Sequence, residues 1–344
     1  PKPSSAASDV YKRQDLAAWQ AWSASRSRVY GGLRAAKAKL RPVAAPSATM
    51  YVPTGVPRTL VVLDLLTPSS RFAAHDPLRH LDAETTAVLT SLADPELPMS
   101  GSWTATPWHG SLDRSIEQVL SLGSYFGLSA QVKTLTRGSD VRFNVVQHGL
   151  LTPWSPPAAE GDHLLAWTQE DADYWRSSTP GVTIEVVGSQ VLWNATQQPS
   201  AALGDERPVV LGQLHGIELG KGDALLAYLC FCRGRDVSYR PHPSEADAVS
   251  RAAHKLMRRA GIDFEQSGRP LVDLGRPVVS IFSTGSLEAA HRGLPSWVMH
   301  PAPPAWVEDF WQRYRLARFG AEPTAAWHRP THEPARTVAD ILQR

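Results

Sequence analysis

The sequence contains only two cysteines, Cys230 and Cys232, which fall two positions apart in one apolar segment. This spacing is too short for an ordinary disulfide, and no other cysteine is present to complete a zinc site. We therefore interpret them as two buried thiols on a strand or a helix end. That usage is typical of a reduced, cytoplasmic protein.

Long apolar runs are also missing. No segment approaches the roughly 20 apolar residues that span a bilayer, and residues 1–20 lack the continuous apolar core of a secretory signal. The sequence thus predicts a cytoplasmic protein whose only membrane contact is peripheral, at the inner face. Residues 1–14 are expected to be a disordered or foreign leader.

An excess of one charge is absent as well. The chain has 35 Lys and Arg against 33 Asp and Glu, a formal net charge of +2. Proteins that bind nucleic acid usually carry a larger or more clustered basic excess, so no nucleic-acid partner is expected. No metal-binding motif stands out, and we expect metal-independent chemistry without a cofactor.

Short apolar segments alternate with segments of helical periodicity, which predicts an α/β fold with parallel sheets. The predicted strands are 59–66, 141–146, 163–168, 182–187, 208–211, 237–240, 277–282 and 296–299. The predicted helices are 15–40, 82–92, 111–128, 169–177, 223–232, 244–260 (with Ser244 as N-cap), 285–292 and 305–319.

A polar, aperiodic stretch at 195–207 is the best candidate for an interdomain linker. It separates a Rossmann-like acceptor domain at 15–194, whose first βα unit is expected to be incomplete, from a Rossmann-like nucleotide-donor domain at 208–304. Residues 305–344 are predicted to form a closing helix that packs back, followed by a surface tail. The predicted architecture is two Rossmann-like domains that face a cleft.

The first candidate site cluster follows the predicted strand 237–240. Pro241 and Pro243 stiffen the backbone on both sides of His242, so its imidazole is held in a fixed direction. There it can hold a phosphate oxygen, with Arg240 neutralising charge. The alternative is an ordinary loop histidine that caps the next helix.

The second cluster lies at a strand-to-helix turn and comprises Ser283, Thr284, Gly285 and Ser286. Hydroxyls and free N–H groups at a helix start can cradle a phosphate, and the glycine allows close approach of a ligand. Plain N-capping is the commoner role for such a motif. Glu288, one turn further, is a candidate to support the cap or to bind a ribose.

Three more residues follow predicted strands. His148, within Gln147–Gly149, ends a strand of the first domain and is a candidate general base for an acceptor hydroxyl. A hydrogen bond to loop backbone is its ordinary alternative. Gln213 and His215 follow the first strand of the second domain and are assigned supporting roles in binding.

Because these clusters fall at equivalent strand ends, the second unit resembles the carboxyl-terminal half of GT-B glycosyltransferases that use cytidine-nucleotide donors. His242-Pro243 and Ser283-Thr284 are similar to two short motifs of bacterial sialyltransferases, polysialyltransferases and capsule Kdo transferases. Gln147–Gly149 is similar to the His-Gly motif of CDP-glycerol glycerophosphotransferases. The whole pattern also resembles an uncharacterised actinobacterial glycosyltransferase group.

The resemblance implies transfer of a sugar or polyol phosphate from a CMP- or CDP-linked donor to a cell-envelope glycan or lipid acceptor. It implies that His242, Ser283 and Thr284 contact the donor and that His148 is the base. Two alternatives remain open. One is a UDP-N-acetylglucosamine 2-epimerase-like enzyme, although the paired glycines of its phosphate turn are missing here. The other is a non-catalytic nucleotide- or RNA-binding protein.

Overall fold

The computed structural model describes Trp19 and residues 48–65, 67–125, 127–179, 181–197, 202–216 and 218–344. The described chain is a mixed α/β protein that divides into two compact units. In the described part, the first unit comprises residues 48–149, 155–190 and 330–344, and the second comprises 150–154 and 191–329. The predicted leader and nearly all of the predicted helix at 15–40 lie outside the described residues.

The secondary structure of both units follows the alternation expected from the sequence. The strands are β1 (Thr49–Pro53), β2 (Thr59–Leu63), β3 (Thr86–Thr90), β4 (Trp103–Pro107), β5 (Gln118–Ser121), β6 (Arg142–Val146), β7 (Asp162–Ala166), β8 (Thr183–Val186), β9 (Val209–Leu211), β10 (Ser238–Arg240), β11 (Asp263–Phe264), β12 (Val278–Ser280) and β13 (Ser296–Val298). The helices are α1 (Gly127–Leu135), α2 (Gln169–Ser178), α3 (Gln190–Gln197), α4 (Lys221–Cys232), α5 (Ala248–Arg259), α6 (Thr284–His291), α7 (Ala305–Arg313) and α8 (Pro334–Leu342), with further helical turns at 68–80 and 271–274.

The first unit contains a sheet in the order β4-β1-β3-β2-β5-β6-β7-β8. Six neighbouring strands run parallel: β3, β2, β5, β6, β7 and β8. Strand β1 pairs antiparallel with both β3 and β4. Strands β2, β3 and β7 are buried along their whole length, as expected for parallel strands that are covered on both faces.

Two predicted helices of this unit are wrong. Residues 82–92 contain the strand β3, and 111–128 contain the strand β5, while the helix begins only at Gly127. Both apolar runs are too short for periodicity to distinguish a helix from a buried strand. Pairing of β2 with β3 on one side and β5 on the other decides in favour of strands.

The carboxyl-terminal segment also differs from the prediction. Residues 330–344 belong with the first unit rather than forming a surface tail after the second. Helix α8 buries Val338, Ala339, Ile341 and Leu342 in the core that contains Leu63. Apart from residues 150–154, the chain passes from the first unit to the second after Gln190, before the predicted linker at 195–207, whose first residues complete α3.

The second unit contains five described parallel strands in the order β11-β10-β9-β12-β13. The chain builds outward from β9 to β10 and β11, then returns to the other side of β9 to form β12 and β13. The strand order therefore reverses between β9 and β12, and in open parallel sheets ligands bind outside the carboxyl ends at such a point. The loops after β9, β10 and β12 all emerge at this edge.

Two helix boundaries in the second unit are corrected. The helix predicted from Ser244 begins at Ala248, because Asp247 is the residue whose carboxylate caps it, accepting from the amides of Val249 and Ser250 at 3.0 and 3.1 Å. The helix predicted to reach 319 ends at Arg313. Residues that follow it run beside β13, with an isolated parallel bridge between Val298 and Arg318.

Both thiols lie on the last turn of α4. Cys232 is buried as predicted, whereas Cys230 is exposed, and both are free. Separately, no helix within the described residues has the length and apolar content needed to cross a membrane. The facing arrangement of the two units stays a prediction.

Candidate functional site

Two predicted site histidines meet at the carboxyl edge of the second sheet. His215 follows β9 and His242 follows β10, and their rings stack with centroids 3.8 Å apart and an angle of 15° between the planes. Both side chains are exposed on their outer sides. The parallel pairing of β9 with β10 explains the meeting, since it brings the ends of these strands side by side.

The residue that holds these two loops together, Glu245, was not identified from the sequence. Its fully buried carboxylate accepts hydrogen bonds from the Leu214 amide at 2.9 Å, the Tyr239 hydroxyl at 2.9 Å and His254 Nε2 at 2.7 Å. Its own amide donates to the His242 carbonyl at 2.9 Å. Glu245 thus ties the loop of His215 to the turn of His242.

Local electrostatics keep both stacked histidines neutral at pH 7. Partial burial, the adjacent His242 and the cation of Lys221 lower the pKa of His215 to about 4, although Glu245 opposes the shift. Partial burial also lowers the pKa of His242, again against the pull of Glu245. His242 Nδ1 accepts from the Ser244 amide at 3.1 Å, so the ring proton resides on Nε2 and can be donated to a ligand oxygen.

The depressed pKa of His215 predicts a stability that depends on pH. Between about pH 4 and about 6.5, the unfolded histidine binds a proton that the folded one does not, so stability rises with pH across this window. The stabilising contribution of the neutral His215 is fully present above about pH 6.5. Urea unfolding at pH 5 and pH 7 should therefore show a smaller pH difference for His215→Gln than for the parent. An equal difference in both proteins would show that His215 does not titrate in this way.

The Ser/Thr turn at the start of α6 is mainly a helix cap. Ser283 Oγ accepts from the Gly285 amide at 3.2 Å, and the buried Ser286 hydroxyl lies 2.8 Å from Ser280 Oγ. Gly285 serves packing, because a Cβ there would lie 2.8 Å from a Leu211 methyl group. Thr284, half-buried, makes no side-chain hydrogen bond within the described residues. It is therefore the hydroxyl of this turn best placed to meet a ligand.

Two other predicted binding residues are engaged within the protein. Gln213 Oε1 accepts from the Phe282 amide at 2.9 Å, which joins the loops after β9 and β12 where the strand order reverses. Arg240 pairs with Glu265 at 3.1 Å and donates to the Arg269 carbonyl at 2.6 Å. These contacts give both side chains a structural role, and their predicted contact with a ligand stays a prediction.

Glu288 lies one turn into α6 and is half-buried. Burial raises the pKa of its carboxyl group, although the nearby Arg292 opposes the shift. A carboxyl group whose ionised form is disfavoured in this way gains most from a hydroxyl or cationic partner. Its predicted contact with a ribose stays a prediction.

In the first unit, His148 follows β6 on a loop that is held by Gln147. The buried Gln147 side chain donates to Asp171 Oδ2 and to the Gly149 carbonyl, both at 2.9 Å, and accepts from the Trp167 amide at 2.8 Å. Burial lowers the pKa of His148, although a hydrogen bond with the Val146 backbone opposes the shift. The imidazole is therefore neutral at pH 7 and able to accept a proton.

The first sheet has its own reversal of strand order, between β2 and β5, and the carboxylate of Asp64 occupies it. Asp64 Oδ1 accepts from the Leu128 amide at 2.6 Å and Oδ2 from the Ser129 amide at 3.2 Å. A protein carboxylate thus sits at the start of α1, where an anionic ligand would otherwise be favoured.

One Asp-x-Asp spacing does occur, at Asp171 and Asp173 in the first half of α2. The buried Asp171 holds Gln147, whereas Asp173 is bound by Arg176 at 2.9 Å. Residues two positions apart on a helix do not face each other, so the two carboxylates do not form a pair. Within the described residues, no group of three or more His, Cys, Asp or Glu side chains is arranged to hold a metal ion.

No protein-family model matches the chain, and a search of curated proteins finds no similar sequence. Among solved structures, the chain is similar to a mutant O-GlcNAc transferase of Thermobaculum terrenum, with 15% identity and a TM-score of 0.45. The match covers 85% of this chain and 61% of that one, so this chain spans less than two thirds of that protein. A likeness at this level assigns neither a fold family nor a function.

Proposed function

We propose that the chain is a glycosyltransferase, or a glycerophosphotransferase-like enzyme, of the GT-B class. It uses a CMP- or CDP-activated sugar or polyol as donor and a cell-envelope glycan or lipid as acceptor. The observation that carries the proposal is the convergence of the β9, β10 and β12 loops, with His215, His242 and Thr284, at the reversal of strand order in the second sheet. That edge is the usual ligand site in open parallel sheets.

The chemistry of the edge favours a phosphate. His242 Nε2–H is a donor that remains neutral at pH 7, and the start of α6 adds a partial positive charge beside the Thr284 hydroxyl. His242 and Thr284 follow strands that are separated only by β9, so roughly 10 Å of sheet lies between their chains. A diphosphate can span that gap, with one end at each loop.

Each histidine has a distinct role in the proposed transfer. His242 and Thr284 stabilise the negative charge that develops on the leaving nucleotide phosphate, a form of electrostatic stabilisation that is strong in a preorganised site. His148, neutral for the reason given above, accepts the proton of the acceptor hydroxyl. Glu245 touches neither reactant and positions the two loops.

Calorimetric titration of the parent protein with CMP, CDP and UDP tests the proposal. We expect CDP or CMP to bind more tightly than UDP, and His242→Ala and Thr284→Ala each to weaken binding by about tenfold, the value of one lost hydrogen bond to a charged group. His328→Ala, an exposed histidine of the same unit, is the matched control. If both site variants bind every nucleotide as the parent does, the assignment of this edge is wrong.

The same protein sample separates the two alternatives. Release of UDP during incubation with UDP-N-acetylglucosamine would favour a 2-epimerase-like enzyme. Salt-dependent retention of RNA without turnover of any donor would favour a non-catalytic binding protein, since phosphate contacts make RNA binding sensitive to salt.

A further inference from the structure

The second unit contains a cavity of about 280 Å³ that involves none of the candidate site residues. It lies beside the last turn of α4 and the carboxyl end of β13. Its volume exceeds the roughly 150 Å³ that holds benzene and falls just below the usual range for drug-sized ligands. The cavity therefore has room for a substituted ring.

Three aromatic side chains supply much of its apolar surface: Phe231, Trp311 and Phe319. The Phe231 and Phe319 rings pack edge to face with centroids 4.9 Å apart. The indole N–H of Trp311 is already bound to the Ile281 carbonyl at 2.6 Å, so Trp311 offers the cavity apolar ring surface. Walls of this kind favour a flat, apolar ring over a hydrated ion.

The charges at the cavity are positive. Arg235 and Arg318 line it, and none of the described lining residues is acidic. Arg318 is paired with Glu308 at 2.6 Å, whereas Arg235 forms no ion pair with a described residue and donates to the Phe231 carbonyl at 2.6 Å. A guanidinium group retains several further donors in this arrangement, and it matches a carboxylate well.

We propose that this cavity is a binding site for a small aromatic carboxylate. The ring packs against the aromatic walls, and the carboxylate accepts hydrogen bonds from Arg235. The proposal does not depend on the glycosyltransferase assignment.

Titration of the full chain with benzoate and with the neutral, isosteric benzamide tests the site. We expect a Kd for benzoate of about 1 mM or tighter, with benzamide at least tenfold weaker because it lacks the charge. Arg235→Met should weaken benzoate binding tenfold or more, while Arg233→Met, which changes an exposed arginine two residues away that does not line the cavity, should leave it unchanged. Equal binding of benzoate and benzamide, or no benzoate binding at 10 mM (about tenfold above the expected Kd), overturns the proposal.

The exposed thiol of Cys230 gives a second readout on the parent protein alone. Cys230 lines the cavity, and Cys232, whose pKa is raised to about 12 by burial, does not compete for alkylation. Benzoate at ten times its Kd should slow iodoacetamide modification of Cys230 about tenfold, since only the free fraction reacts. An unchanged rate under saturating benzoate would place the ligand elsewhere and contradict the site.

Discussion

His148→Ala is expected to lower kcat for donor turnover by about 10²–10⁴-fold, the range for loss of a positioned general base. Its neutral imidazole follows directly from the burial that depresses its pKa. Because Gln147 holds the loop through side-chain bonds of its own, the truncation should leave the loop in place. The measurement is the initial rate of CMP or CDP release in the presence of acceptor.

The control for this change is His109→Ala, an exposed histidine of the same unit. It should turn over donor at the parent rate. The nucleotide affinity of His148→Ala should also equal that of the parent, since the proposed nucleotide contacts lie in the second unit. A kcat within a few-fold of the parent value would remove His148 from the role of base.

Glu245→Ala is expected to reduce the free energy of unfolding by about 3–5 kcal/mol, the usual effect of removing one partner of a buried charged network. The change leaves His254 Nε2, the Tyr239 hydroxyl and the Leu214 amide without their acceptor. Glu245→Gln preserves the side-chain volume and one acceptor oxygen, so it should reduce the free energy of unfolding clearly less than Glu245→Ala. Urea unfolding of the full chain measures both.

Glu206→Ala, an exposed carboxylate in the same unit, is the matched control and should change stability by less than about 0.5 kcal/mol. Glu245→Gln, where it remains folded, should also loosen the His215 and His242 loops and weaken CDP binding. If Glu245→Ala is as stable as the Glu206→Ala control, Glu245 does not hold the two loops together.

Four of the five described strands of the second unit, β9, β10, β12 and β13, were predictable to within two residues, whereas β11 was not predicted. The clearest are short apolar runs bounded by turn-forming residues, so their limits are visible in the sequence, as at β9 and β12. The edge that gathers His215, His242 and Thr284 was predictable for the same reason, because successive parallel strands deliver their carboxyl ends to one side.

What could not be predicted depends on contacts between distant segments. Residues 111–128 carry apolar spacing that fits a helix, and only pairing with β2 and β6 makes part of them a strand. The sequence does not single out Glu245, because its partners Leu214, Tyr239 and His254 come from three separate segments. No local pattern marks a carboxylate as the centre of such a network.

The hydroxyls at the start of α6 illustrate a different limit. The sequence shows four small residues, Ser283 to Ser286, but not which of them are hydrogen-bonded or packed within the fold. Ser283 caps the helix, and the Ser286 hydroxyl is hydrogen-bonded to Ser280. Gly285 packs against Leu211. Of these four residues, only Thr284 has a hydroxyl that forms no hydrogen bond with a described residue.

A crystal of the full chain soaked with CDP tests the proposed ligand edge most directly. We expect the diphosphate at the carboxyl ends of β9, β10 and β12, with phosphate oxygens within about 2.6–3.2 Å of His242 Nε2 and of the Thr284 hydroxyl or amide. A nucleotide bound away from that edge, or phosphates that contact neither residue, would contradict the proposed site.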